Sequence, residues 1–410
     1  MNPIFPKNEY IPDGEARIGH DGRLYLYGSR DIGGREDYCS EGYKVFSTDN
    51  LVDWTDHGIS FEGSRAGFCE SDTLFAPDCV YKDGKYYLFY CLPDADGGRE
   101  GVAVSDCPQG PFSEASAVEG ADKTGIDPTV LVDHDGQAYL YWGQFQLRAA
   151  KLSADMRSIL PETLQVGVLS EEVHGFHEGA SIRKIGSKYC LVYCDGVRGR
   201  ATCLSYALSD SPLGPFKRGG VIINNIHCDP LSWNIHGSIC EFNGRWYVFY
   251  HRSSRNSKFN RRACIEPITV HPDGHIDEVQ MSTQGAESPI PSSTELGAWR
   301  ACFLYGRIHC EVEGEQEFLR SRGRENVASF RDLEFDGAET QCRIKLRGHG
   351  HILVNLGSPF SDSSAVFQFD TKGNWETVST KLLDQPTGVK SLNLFIVDGE
   401  FDLETVRFEK

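Results

Sequence analysis

The stretch FHEGASIRKIGSKYCLVYCD, residues 176–195, holds two short runs of aliphatic and aromatic residues joined by a Gly-Ser turn, the pattern of a β-hairpin. Its second half has four counterparts: GRLYLYGSRD from Gly22, GKYYLFYCL from Gly84, GQAYLYWGQ from Gly136 and GRWYVFYHR from Gly244. Aligned on the central aliphatic residue, they mark Leu26, Leu88, Leu140, Leu191 and Val248, at intervals of 62, 52, 51 and 57 residues. A further strand precedes each, as in EARIGHD, DCVYKD, TVLVDHD, GASIRKIG and GSICEFN. Such a period corresponds to one four-stranded blade per repeat. An all-β fold is therefore expected, with a five-bladed β-propeller over residues 1–281. VAVSDCPQGPF from Val102 and YALSDSPLGPF from Tyr206 echo one another 104 residues apart, two blades on. The competing architecture, two stacked sheets in one large sandwich, does not account for five similar hairpins at even spacing.

Composition agrees. Gly is frequent at 43 and Met rare at 3, a balance suited to strands and tight turns. The 59 acidic residues against 41 basic ones give a net charge of -18, which disfavours nucleic acid and anionic membranes as partners and suits a neutral ligand such as a sugar. MNPIFPKNEYIPDGEAR has none of the marks of a secretory leader, and no run of eighteen apolar residues occurs, so a cytoplasmic location is expected. Several of the fourteen cysteines fall inside strand patterns (Cys79, Cys190, Cys240), which points to buried free thiols.

The innermost strand of a propeller blade lines the central channel, so a polar residue at its start faces a ligand on one face. Thirteen residues before the aligned aliphatics stand Asp13, Phe75, Asp127, Glu178 and Ile235, with His236 one place later. Three of the five are carboxylates. Singly, each reads as a turn residue. In register, they form a cluster whose mutual repulsion raises at least one pKa. Inverting glycoside hydrolysis needs an acid and a base carboxylate roughly 6.5–9.5 Å apart, a gap that acids on separate blades can span.

These residues resemble glycoside hydrolase family 43. The resemblance covers roughly residues 1–290 and rests on NPIFPKNEYIPDGEA with LYLYGSRD, FAPDCVYKDGKYYLFY, GIDPTVLV, EGASIRKIGSKYCLVY and IHGSICEFNGRWYVFYHR, in that order. It implies a five-bladed propeller in which Asp13 is the general base, Glu178 the general acid, and Asp127 the residue that orients and tunes Glu178, with inversion at the anomeric carbon. Pro12-Asp13-Gly14 departs from the Pro-Asp-Pro common in the family, which bears on the substrate more than on the chemistry. The resemblance also implies a channel calcium at His236, completed by waters, and a sugar-binding arginine at Arg261 or Arg262. Bottom-up, a lone His is more often structural, and one of the two arginines can be a solvated strand charge. Phe75 is a candidate apolar wall against the sugar, or a core aromatic.

Three other signals are set aside. DADGGREG from Asp94 lacks the Gly and Glu of a calcium loop at its sixth and twelfth positions, Arg99 and Ser105. HGFHE from His174 lacks the order of a helical zinc site, and GSRDIGGREDYCSEG lacks the Lys of a phosphate loop and reads as a long loop over the pocket.

STQGAESPIPSSTELGA, residues 282–298, has no strand periodicity and reads as a linker. Alternating runs such as HILVNLG, AVFQFD and SLNLFIV then suggest a smaller β-sandwich over residues 299–410. Its ending, VKSLNLFIVDGEFDLETVRFEK, resembles family 6 carbohydrate-binding modules, with Trp375 the clear candidate platform; a packing or pocket-completing role is favoured over glycan capture. The function expected from these readings is an intracellular exo-glycosidase releasing terminal pentose, β-1,4-xylose and/or α-L-arabinofuranose, from short oligosaccharides. The rivals are a non-catalytic sugar-binding propeller and a related five-bladed glycosidase or phosphorylase of different sugar specificity.

Overall fold

The computed structural model describes residues 1–94, 97–122 and 125–410; the Asp94 loop set aside above falls partly outside them. Five antiparallel sheets follow one another along the chain, opened by Glu15–Ile18, Asp78–Lys82, Thr129–Val132, Phe176–Ile185 and Ser238–Phe242. Each opening strand touches the opening strands on both sides, the fifth against the first, so they close a ring around a channel. The five-bladed propeller expected from the repeats is the observed fold.

The repeat residues explain the ring. Leu26, Leu88, Leu140, Leu191 and Val248 pair with Ala16, Cys79, Val130, Ile182 and Ile239, the same place in every blade. Side chains alternate across a strand, so each second strand serves two cores. Leu24 and Leu26 pack with Tyr247 and Phe249 of blade five, whereas Tyr25 and Tyr27 pack with Tyr86, Leu88 and Tyr90 of blade two. Phe89 joins Leu140 and Trp142, Tyr139 and Tyr141 join Leu191 and Tyr193, and Cys190 and Val192 join Val248 and Tyr250. Five such clusters complete the circle, which is why these strands are apolar on both faces. The two-blade echo has a physical source as well. Tyr27 donates its hydroxyl to the Pro108 carbonyl at 2.7 Å, and Tyr141, at the matching place in blade three, donates to Pro212 at 2.6 Å.

Blade five departs from the four strands expected of every repeat: it has three. The chain start lies along its outer edge instead. Ile4 N–H donates to the Ala263 carbonyl at 3.0 Å, and the Asn2 side chain bonds both the N–H and the carbonyl of Ile265 at 2.9 Å. Joining the first residues to the last strand of the propeller in one blade holds the ring shut.

The C-terminal strands form a second, smaller unit, a β-sandwich. Thr387–Glu409 is central, flanked by Gln316–Asp336 and Gln341–Leu356. The two halves of Gln341–Leu356 pair outward with different strands, Glu376–Lys381 and Ser363–Asp370, so the sheet curls over its own core. Residues 282–298, read as a linker, are tied into it: Ile290–Pro291 pairs with Leu333 and Glu334, and Leu296–Gly297 with Val406 and Thr405. Two-residue pairings are too short to leave a periodic signal in a Ser- and Pro-rich stretch. Trp375 is half-buried, edge-on to Phe318 at 5.5 Å with the Arg347 guanidinium 4.8 Å from its ring, so it packs on the sheet. No helix of the described residues is long and apolar enough to cross a membrane.

Candidate active site

At one mouth of the channel a cavity of about 280 Å³ is lined by Asp13, Asp127 and Glu178 together with Phe75, His236 and Arg261. Six of the seven candidate residues thus meet in one place: Asp13, Phe75, Asp127, Glu178 and His236 from the repeat register, and Arg261, which the family resemblance implied. Arg262 is the exception and is corrected here. Its guanidinium is buried on the far side of the strand, bonded to Glu317 of the sandwich and to the Tyr10 hydroxyl at 3.2 Å. Neighbours on a strand point to opposite faces, so only one of the arginine pair can face the sugar pocket.

Local backbone geometry aims the acids. Asp13 and Asp127 both sit in the left-handed region, at φ of 59° and 58°, three residues before the paired Ala16 and Val130. Asp tolerates that conformation better than most residues, and such strain concentrates at functional sites. Glu178 arrives differently. Its strand is bulged on both sides of it, placing it four residues before the paired Ile182. The bulge turns on Gly179, at φ of 67°, where an added Cβ would stand 2.9 Å from the His236 ring. A glycine is required there twice over.

The three carboxylates have different surroundings. Asp13 is buried, which alone would favour its neutral form. Arg261 Nη1 at 2.9 Å from Oδ1, with His251 and His236 beside it, outweighs that burial and holds the carboxyl well below the usual range. Ser29 adds a hydroxyl donor to Oδ2 at 2.7 Å. Asp127 is equally buried but faces Glu178, Asp13 and Glu100, and is pushed well above its ordinary value by burial first and those charges next. Glu100 is buried, with no hydrogen-bond partner among the described residues, and burial with the Asp122 charge raises it to about 8. Glu178 is half-buried and accepts from Gln144 Nε2 at 2.8 Å and from Asn234 Nδ2 at 3.1 Å.

Around them stand residues that the sequence reading did not single out. Tyr38, Cys39, Ile126, Gln144 and Asn234 line the cavity, and Asp31 grips Arg261 through both carboxylate oxygens at 2.9 Å. Ser29 and His251 stand three places after the aligned Leu26 and Val248, whereas the register used for the acids lies thirteen places before. A second count along the same repeats was the available signal.

His236 is the residue that could contact a metal. Burial holds its imidazole below the ordinary value, and Nδ1 lies 3.7 Å from Asp13 Oδ1 and 3.9 Å from Asp127 Oδ2. Calcium takes six to eight oxygens. The nearby Asp13 is engaged by Arg261 and Ser29, while deeper in the channel Glu15 and Asp78 are paired with Arg183 and Arg17, each at 2.6 Å. Among the described residues no group of three or more His, Cys, Asp or Glu side chains is arranged to hold an ion. These side chains do not fit a protein-built calcium cage; a calcium at His236 would draw its oxygens from water.

Comparison with known proteins extends this picture. The chain is 35% identical to a xylosidase/arabinosidase of Thermoclostridium stercorarium over 74% of its own length and 72% of that protein, and 33% identical to xylosidase/arabinosidase 43A of Humicola insolens over 67% and 98%. A solved β-xylosidase/α-arabinofuranosidase from a compost microbial metagenome, in complex with xylotriose, superposes with a TM-score of 0.61 at 31% identity, covering 68% of this chain and 97% of that one. An arabinoxylan arabinofuranohydrolase from Bacillus subtilis, at 22% identity and a TM-score of 0.57, covers 100% of this chain and 97% of its own, a likeness of fold that includes the sandwich. The description Glycosyl hydrolases family 43 matches residues 2–276, the whole of the propeller that carries the three acids, and the chain is a glycoside hydrolase of that family.

Proposed function

We propose that the protein is an inverting exo-glycosidase that releases terminal pentose units, β-1,4-linked xylose and/or α-L-arabinofuranose, from short oligosaccharides. The observation that carries this reading is the divergence of the acids around one cavity: Arg261 keeps Asp13 anionic, while burial and its acidic neighbours push Asp127 up. Paired groups driven apart in this way mark acid and base assignments. Asp13 takes a proton from the water that attacks the anomeric carbon. Glu178, held by Gln144 and Asn234, donates one to the leaving oxygen as the glycosidic bond breaks. Asp127, pushed up by burial and by the Glu178 and Asp13 charges, stands on that side of the cavity to orient and tune Glu178. One displacement without a covalent intermediate inverts the anomeric centre. A cavity of about 280 Å³ suits a single terminal sugar, and Phe75 offers that sugar an apolar wall.

Hydrolysis of nitrophenyl β-D-xylopyranoside and α-L-arabinofuranoside by the wild type, Asp13→Asn and Glu178→Gln tests the reading, with proton NMR of the first-formed anomer. Turnover lost in Asp13→Asn, a smaller loss in Glu178→Gln on these readily departing nitrophenolates, and an inverted product support it. No wild-type turnover on either glycoside overturns the pentose assignment, and a retained anomer overturns the mechanism. Metal content and turnover after chelation test His236: calcium lost together with activity makes it a ligand, whereas full activity without metal leaves it as a neighbour that positions the two aspartates. Twelve of the fourteen cysteines are buried thiols inside the strands and their connections, which supports a reducing, cytoplasmic setting; these twelve titrating as thiols in the unfolded protein isolated under non-reducing conditions is the expected outcome.

A further inference from the structure

A second concavity, of about 530 Å³, opens beside the catalytic cavity. Two links join them. The Tyr38 ring on the catalytic side stacks edge-on against Phe259 on the other at 4.6 Å, and Trp233, in the groove, directly precedes Asn234, which holds Glu178. The groove therefore begins on the side of the proposed general acid, where a leaving group must lie.

In a chain of charge -18, the groove gathers Arg200, Arg255 and Lys258, none of which has a carboxylate within 4 Å among the described residues. Its acidic residues are Glu36 and Glu311, and Glu311 is already paired with Arg320 at 3.1 Å. Lys258 holds its ammonium 5.4 Å from the Trp233 ring and 5.0 Å from Phe259, while Trp233 is 53% exposed. Gly33 and Gly34 leave room for Arg255: a Cβ at Gly33 would stand 3.0 Å from its Nη1. Asn260 is 1% exposed, accepts from Gly34 N–H at 3.0 Å, and has its amide nitrogen left without a partner among the described residues. Exposed aromatic surface suits the face of a sugar ring, and unpaired cations with a spare amide donor suit a carboxylate.

We propose that this groove is the leaving-group subsite, and that it selects oligosaccharides carrying a carboxylate, a uronic acid substituent, on the sugar next to the scissile bond. The inference rests on the exo-glycosidase reading above and assigns the substrate class on its far side. Glu311 brings the sandwich to the rim, so the second domain shapes this subsite.

The test compares kcat/KM for xylotriose and for the same trisaccharide bearing one glucuronic acid on its middle residue. Two or three partly exposed charge pairs predict a preference of roughly 3- to 10-fold for the acidic substrate, falling towards unity in high salt. Arg255→Gln/Lys258→Gln should erase the ratio, whereas Arg245→Gln, on the exposed hairpin turn of blade five, should leave it intact. A wild-type ratio at or below one, or a ratio unmoved by the double variant, overturns the proposal. Calorimetric titration of Glu178→Gln with the same two trisaccharides reads the groove without turnover. If neither nitrophenyl glycoside is cleaved, the pentosidase reading fails by itself. Tighter binding of the acidic trisaccharide, lost in Arg255→Gln/Lys258→Gln, then keeps the subsite, and equal binding removes it.

Discussion

Arg261 of blade five reaches into the adjoining blade one to place Nη1 2.9 Å from Asp13 Oδ1, while its Nε and Nη2 close on the two oxygens of Asp31. The guanidinium is thus a fixed counter-charge for the proposed base, oriented by a second acid that does not line the cavity. A lysine supplies the charge but not the fork.

Replacing Arg261 should therefore move the acid limb of the kcat/KM profile. With the cation gone, burial raises Asp13, so the base is protonated over more of the acidic range and activity sets in at higher pH. Arg261→Lys should shift the limb less than Arg261→Met. Removing a donor of this kind also costs roughly 10²-fold or more in rate at the optimum. An unshifted limb in Arg261→Met would separate the arginine from the ionisation of Asp13.

Leaving-group dependence distinguishes the two proposed catalytic carboxylates. A nitrophenolate departs without protonation, so Glu178→Gln should lose far less kcat on aryl glycosides than on xylobiose, where the loss should reach about 10²- to 10⁴-fold. Asp13→Asn should lose similar factors on both, because attack by water is needed in each. Equal losses for Glu178→Gln on the two substrates would remove it as the proton donor.

What was legible in the sequence follows from what repeats. The five central strands are buried on both faces by neighbouring blades, so Leu26, Leu88, Leu140, Leu191 and Val248 recur and betray the ring. Asp13, Asp127 and His236 stand three residues before their paired strand positions and could be found by counting. Glu178 survives that count because a bulge offsets its early place. Gln144, Asn234 and Tyr38 sit outside the paired strands, where no register exists to align. The choice between Arg261 and Arg262 needed the pleat of one strand, and the role of Arg262 needed a partner 55 residues on, in another domain.

Glu100 gives a stability prediction independent of turnover. Its carboxyl is fully buried with no hydrogen-bond partner among the described residues, and is raised to about 8 from an ordinary 4.5. Above pH 4.5 the unfolded chain ionises while the folded protein keeps the proton, so this group makes stability fall as pH rises from about 4.5 towards 8. Glu100→Gln should flatten that slope, gaining on the order of a few kcal/mol over the wild type at pH 8 and little at pH 5. Urea denaturation at pH 5, 6.5 and 8 measures it, and parallel slopes for the two proteins would refute the assignment.

Arg262 and Glu317 form a buried ion pair between propeller and sandwich, with both side chains almost fully enclosed. Removing one partner leaves an uncompensated buried charge, which typically costs about 3–5 kcal/mol, whereas replacing both with apolar side chains is often neutral. Arg262→Met and Glu317→Leu should therefore each lower Tm sharply, and the double variant should recover most of the loss. Because Arg262 does not line the cavity, turnover of the folded single variants at low temperature should match the wild type. Additive losses in the double variant would show that the two side chains act independently, and a selective fall in kcat of Arg262→Met would return this arginine to the sugar site.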